Sequence, residues 1–150
     1  MPPDQEAALV AAVRGALDLV YASKYAEAEQ SLAAAERKWP SAAGLAGARC
    51  DLAFRMGQVE AARAACARAL AADPDASWAL YLAGVIALRD TSPAGTRTGI
   101  EKLRRAITVD PELGQAWRTL AKAYARAKDK PALEQLARDY SAKFGQPLPQ

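Results

Sequence analysis

The residues of this sequence with chemistry to offer are two cysteines, a scatter of carboxylates and a late row of cations. Cys50 and Cys66 are the only thiols, and there is no histidine anywhere in the 150 residues. Without an imidazole, a cysteine nucleophile has no ordinary base to activate it, and His-based triads and most zinc or haem sites are excluded. Two thiols are also too few for a structural zinc site. Their spacing leaves a disulfide open, and the expected state is a pair of buried free thiols. Carboxylates such as Glu27, Glu29, Asp51, Glu101 and Glu134 fit solvated helix faces, and nothing singles out an acid/base pair among them. No phosphate-binding loop or Gly-rich strand-to-helix turn is present. The expectation is a protein without catalysis, cofactor, metal or small-molecule substrate.

The cations and aromatics need a scaffold, and composition says which kind. Apolar residues make up 51% and charged residues 25%, the balance of a folded soluble domain. Thirty-eight alanines favour helix over strand. No apolar run approaches the ~20 residues of a membrane span. The start, Met1-Pro2-Pro3-Asp4-Gln5-Glu6, lacks the basic stretch and apolar core of a signal peptide. A cytoplasmic location is therefore expected, with a periplasmic one open if a leader was removed upstream. The high Ala and Arg content suggests a bacterial, GC-rich coding bias.

Prolines punctuate the chain. Pro40, Pro74 and Pro111 each close a long Ala-rich helical stretch, at intervals of 34 and 37 residues. The extra three fall in the turn-forming run Asp90-Thr91-Ser92-Pro93-Ala94-Gly95. Between the prolines lie paired segments of apolar residues at three- and four-residue spacing. Leu9, Ala12, Val13, Ala16, Leu17 and Val20 form one, and Tyr25, Ala28, Leu32, Ala35 and Trp39 form its mate. Similar pairs run through 41–56 with 59–72, 75–90 with 94–108, and 112–127 with 131–143. Gly57, Ser92-Pro93 and Asp129-Lys130-Pro131 supply the turns within pairs. A recurrence of thirty-odd residues marks a repeat architecture.

These features resemble the tetratricopeptide repeat. Its first-half pattern is best matched by Trp117, Leu120, Ala121 and Tyr124, with alanine in place of the family's glycine. Its second half is best matched by Gly57, Val59, Ala62, Cys66, Ala69-Leu70 and Asp73-Pro74. Gly84, Ala106-Ile107 and Asp110-Pro111 repeat parts of it, as do Tyr25, Ala28, Leu32, Ala35 and Pro40. Arg49 and Cys50 stand where the pattern wants Leu and Gly, and Gly99 where it wants Ala. The resemblance implies an all-α solenoid of about four helix-turn-helix units and roughly eight helices. One domain is expected over 7–144, with units at about 7–40, 41–74, 75–111 and 112–144. Tails are expected at 1–6 and 145–150.

The resemblance further implies that the first helix of each pair lines a concave groove. Counting along one helical face from each proline gives Asp51, Arg55, Trp78, Tyr81, Val85, Arg89, Arg118, Lys122 and Arg126 as its lining, with Phe54 beside them. The same face of the first helix carries Val10, Val13, Leu17 and Tyr21, which suit core packing or contact with a further repeat or second copy. Residues 1–75 hold 8 cationic and 10 anionic side chains and residues 76–150 hold 12 and 7, so positive charge gathers toward the end. Aromatic anchors beside cations suit an acidic peptide segment. Two plainer readings stand beside this one: Trp78 and Tyr81 as packing against neighbouring helices, and the cation row as a solvated face. There is no Asn, so the Asn-containing carboxylate clamp of some relatives is not expected. A net charge of +3 without a reader motif is weak evidence for nucleic-acid binding, and a nucleic-acid partner is not expected. The reading is a protein-interaction module with a peptide partner. The alternative is an assembly element that self-associates into a homo-oligomer through its end repeats.

Overall fold

The computed structural model describes residues 1–149. They form eight α-helices: α1 (Pro3–Tyr21), α2 (Tyr25–Lys38), α3 (Ala43–Arg55), α4 (Val59–Ala72), α5 (Ser77–Ala87), α6 (Pro93–Val109), α7 (Gly114–Arg126) and α8 (Lys130–Phe144). No strand occurs among the described residues. The chain divides into two compact units, one over Met1–Pro74 and one from Asp75 onward. The division falls at the proline that closes the second expected repeat.

The turns within pairs form for local reasons. Gly57 takes a left-handed φ of 76° between α3 and α4, a conformation glycine adopts without a Cβ clash. Ser23 and Lys128 take the same left-handed conformation in the α1–α2 and α7–α8 turns. The Ser92 hydroxyl accepts the Gly95 N–H at the start of α6, and the Asp129 carboxylate accepts the Ala132 N–H at the start of α8. Prolines occupy the first turn of both helices, where a missing N–H costs nothing. Helix α1 starts at Pro3, so most of the expected N-terminal tail is helical. Asp4 and Glu6 sit in its first turn, where carboxylates complement the helix dipole.

In the first unit α1 packs on α2, α3 on α4, and α3 against both helices of the first pair. Ala16, Val20, Ala28, Leu32, Ala35, Leu45, Ala48 and Leu52 form one buried cluster. Small residues let the helices close up while leucines fill the gaps between them. Arg49, a departure from the repeat pattern, ties α3 to α2 through ion pairs with Glu29 and Glu36. Burial opposes the Arg49 charge most, but the hydrogen bonds it donates to the two glutamates outweigh that and hold its pKa above the ordinary value.

The cysteines correct an expectation. Cys50 of α3 and Cys66 of α4 are joined in a disulfide rather than standing as free thiols. Both occupy the inner face of one antiparallel pair, where small residues bring the Cα atoms to 5.2 Å, within disulfide reach.

In the second unit α5 packs on α6, α6 on α7, and α7 on α8. A Cβ at Gly84 would stand 2.7 Å from Leu103 Cγ, and one at Gly99 would stand 2.6 Å from Leu88 Cγ and 3.2 Å from the Gly84 carbonyl. Glycine thus faces glycine across α5 and α6. This accounts for Gly99 where the repeat pattern has alanine. At the other end Trp117, Tyr140 and Phe144 pack edge-on and tilted, with ring centroids 4.5–6.0 Å apart. Trp117 Nε1 also donates to the Pro111 carbonyl at 2.9 Å, fastening the start of α7. In the C-terminal tail Leu148 is buried, while Gly145, Gln146, Pro147 and Pro149 are exposed.

Candidate functional site

The cation row is a consequence of how α7 is anchored. Its inward side buries Ala116, Trp117, Leu120, Ala123 and Tyr124. Arg118, Lys122 and Arg126, spaced by four, therefore share the opposite, exposed side. Among the described residues none of the three makes an ion pair. Like charges four apart on a helix repel weakly, so the stripe gains nothing from its own spacing. Arg126 has one tie: Nη1 donates to the Leu88 carbonyl at 2.6 Å. Leu88 caps α5, so Arg126 satisfies an otherwise unpaired helix-end carbonyl and places a cation at the negative end of the α5 dipole.

On α5, Ala79, Leu80, Leu82, Gly84 and Ile86 are buried, which leaves Trp78, Tyr81 and Val85 on one half-buried stripe. The Trp78 and Tyr81 rings stack at a 5.0 Å centroid separation, tilted by 38°. Arg89, just past the helix end, is exposed. The Arg126 bond draws the C-terminal end of α7 to that of α5. Arg118 and Lys122 line a recess of about 360 Å³ whose other walls are Leu133, Glu134 and Ala137 of α8 and Leu148 of the tail. Trp78 and Tyr81 are not among its lining residues. The second unit thus brings Arg126 to α5 and turns Arg118 and Lys122 partly toward α8.

In the first unit Asp51 is placed differently from the lining role expected of it. It has no exposed surface. Arg55 Nε donates to Asp51 Oδ1 at 2.8 Å, and the Tyr21 hydroxyl donates to Oδ2 at 3.3 Å, so both carboxylate oxygens are engaged inside the unit. Asp51 is met there by Tyr21, a residue of α1. Arg55 lies over the Tyr21 ring, 5.0 Å from its centroid, and its pKa is raised chiefly by the hydrogen bond to Asp51. Burial pushes the Tyr21 hydroxyl above its usual pKa, with the Asp51 charge adding to the shift. Phe54 is half-buried, and Arg55 remains partly exposed.

A second recess, of about 450 Å³, lies on α1. Leu9, Val10, Val13, Leu17 and Tyr21 line it together with Arg14, Asp18 and Gly44 of α3. The apolar members were legible as one helical face. Arg14 and Asp18 were not singled out, although their place in a four-three-four-three stripe with Ala7, Ala11 and Tyr21 was open to find. Among the described residues no group of three His, Cys, Asp or Glu side chains is placed to hold a metal ion, and no helix is long and apolar enough to cross a membrane.

These helix pairs define an all-α protein of the solenoid class, built from repeated helix-turn-helix units. A family profile described as tetratricopeptide repeat matches residues 13–77 and 48–95, together more than half of the chain. The chain belongs to the tetratricopeptide-repeat family, whose fold serves generally as a protein–protein interaction module. Among solved structures it is similar to Pseudomonas aeruginosa pilF, with 17% identity and a TM-score of 0.81 over 93% of this chain and 62% of that one. It is also similar to a Thermobaculum terrenum O-GlcNAc transferase mutant, with 19% identity and a TM-score of 0.76 over 96% of this chain and 28% of that one. MamA from Desulfovibrio magneticus RS-1 gives 17% identity and a TM-score of 0.71 over 90% and 76% of the two chains. The chain thus spans well under two thirds of the transferase and just under two thirds of pilF. At these identities the likeness is one of fold. No curated protein sequence matches the chain.

Proposed function

We propose that the chain is a non-catalytic interaction module whose second unit takes an acidic peptide segment of a partner protein. The observation that carries this reading is the exposed stripe Arg118, Lys122 and Arg126, which has no anionic partner among the described residues. Arg126 leads toward the α5 end that carries Arg89, with Val85, Tyr81 and Trp78 further along that helix. Carboxylates of a bound segment would pair with the cations, and an aromatic or aliphatic residue would rest against the tilted Trp78–Tyr81 pair. The test uses fluorescence anisotropy with labelled peptides rich in Asp and Glu and containing one Phe. Arg118→Glu with Lys122→Glu is expected to weaken such a peptide by about tenfold or more. Arg126 is left intact because it also caps α5. Equal affinity for the variant and the parent protein overturns the reading.

Self-association is the second reading, favoured by the exposed apolar residues of α1. The disulfide supports the periplasmic alternative over the cytoplasm, because reducing compartments keep paired thiols open.

A further inference from the structure

Helix α1 carries a face that neither the fold nor the peptide-binding reading uses. Val10 and Tyr21 are 58% and 51% exposed, the largest values for big apolar residues after Met1. Leu17 is half-buried beside them, and Ala7, Ala11, Arg14, Gly15 and Asp18 are exposed. The exposed residues Ala7, Ala11, Arg14, Asp18 and Tyr21 follow one another at intervals of four, three, four and three. Residues at these intervals share one face of the helix. Arg14 and Asp18 sit at the centre of the stripe, and among the described residues neither forms an ion pair. An Arg four residues before an Asp is also the weaker orientation for a pair within one helix.

The stripe is complementary to itself when reversed. A second α1 laid antiparallel, with the two-fold axis at the level of Ala16, sets Arg14 of each copy opposite Asp18 of the other. The same register sets Ala11 opposite Tyr21, a small residue facing a large one, at both ends of the contact. It also brings the two Leu17 side chains together beside the axis and the two Gly15 residues together on the other flank, where a Cβ meets nothing within 4 Å in the single chain. One register therefore satisfies charge and size together, the signature of an isologous two-fold interface. Tyr21 is already held for this contact, its hydroxyl on Asp51 and its ring under Arg55. We infer that the exposed face of α1 is a homodimer interface in which two antiparallel copies of the helix pair Arg14 with Asp18.

The test is the mass of the intact chain by sedimentation equilibrium from low to high micromolar concentration, with circular dichroism confirming that each variant is folded. The parent protein is expected to dimerise. Arg14→Glu sets Glu against Asp18 twice, and Asp18→Arg sets Arg against Arg14 twice, so each is expected to weaken the dimer by about tenfold or more. The double variant restores opposite charges and is expected to dimerise again. The two single variants mixed together are complementary and are expected to form a heterodimer. A parent chain that stays monomeric throughout overturns the inference, as it would if a helix of another polypeptide, rather than a second copy, covers this face. Single variants that dimerise as well as the parent, or a double variant that is not restored, overturn it too.

Discussion

At the scale of single residues, the buried Asp51 shows how a surface position becomes an internal one. Its two oxygens take hydrogen bonds from Arg55 and Tyr21, so the charge entering the first unit is matched on both sides. The Tyr21 hydroxyl has a pKa raised in the folded chain by burial and by Asp51. A raised folded pKa means that this contribution to stability is complete below the unfolded value of 10.0 and is lost as pH rises through the folded value. Stability against urea is therefore expected to fall above about pH 10, and Tyr21→Phe is expected to flatten part of that fall. Tyr124, raised chiefly by burial, leaves a residual slope in the variant. An alkaline profile identical in the parent and Tyr21→Phe proteins contradicts this role. The sequence could place Asp51 and Tyr21 each on a helix face. It could not join them, because they lie 30 residues apart on different helices.

At the scale of elements, helix pairs were legible because each is encoded locally. Prolines after every second helix, Gly57 in a turn and the Ser92 and Asp129 caps act within a few residues, and the helices formed where they pointed. The start of α1 was less legible, since an acidic stretch after two prolines reads equally as a tail or as a helix first turn. The disulfide was not legible from a separation of 16 residues, because its formation depends on how closely α3 and α4 pack. Once formed it closes a loop of about that length, which stabilises the pair by about 3 kcal/mol in the chain-entropy view. The α5–α6 pair depends instead on absent side chains. Gly99→Ala places a Cβ against Leu88, and is expected to lower unfolding stability by about 1–3 kcal/mol despite the better helix propensity of alanine. A variant with unchanged or raised stability in urea titration shows that α5 and α6 are not in contact through this glycine pair.

At the scale of the whole molecule, positive charge gathers in the second unit, as counting along the sequence indicated. The fold class and the repeat family were readable because a recurrence of thirty-odd residues, punctuated by prolines, marks successive copies of one helix-turn-helix unit. The lining of the candidate site was readable only as helix faces. Which neighbours Arg118 and Lys122 meet depends on α8 and on Leu148 of the tail, and which residue Arg126 meets depends on α5. The central claim is that exposed cations of the second unit hold a partner's carboxylates. The most direct measurement is the dissociation constant of an Asp/Glu-rich peptide across a salt series, beside an Asn/Gln counterpart. The account predicts that affinity for the acidic peptide falls steeply as screening increases, while its amide counterpart binds weakly at every salt concentration. Equal binding of the two peptides, or an affinity indifferent to salt, contradicts it.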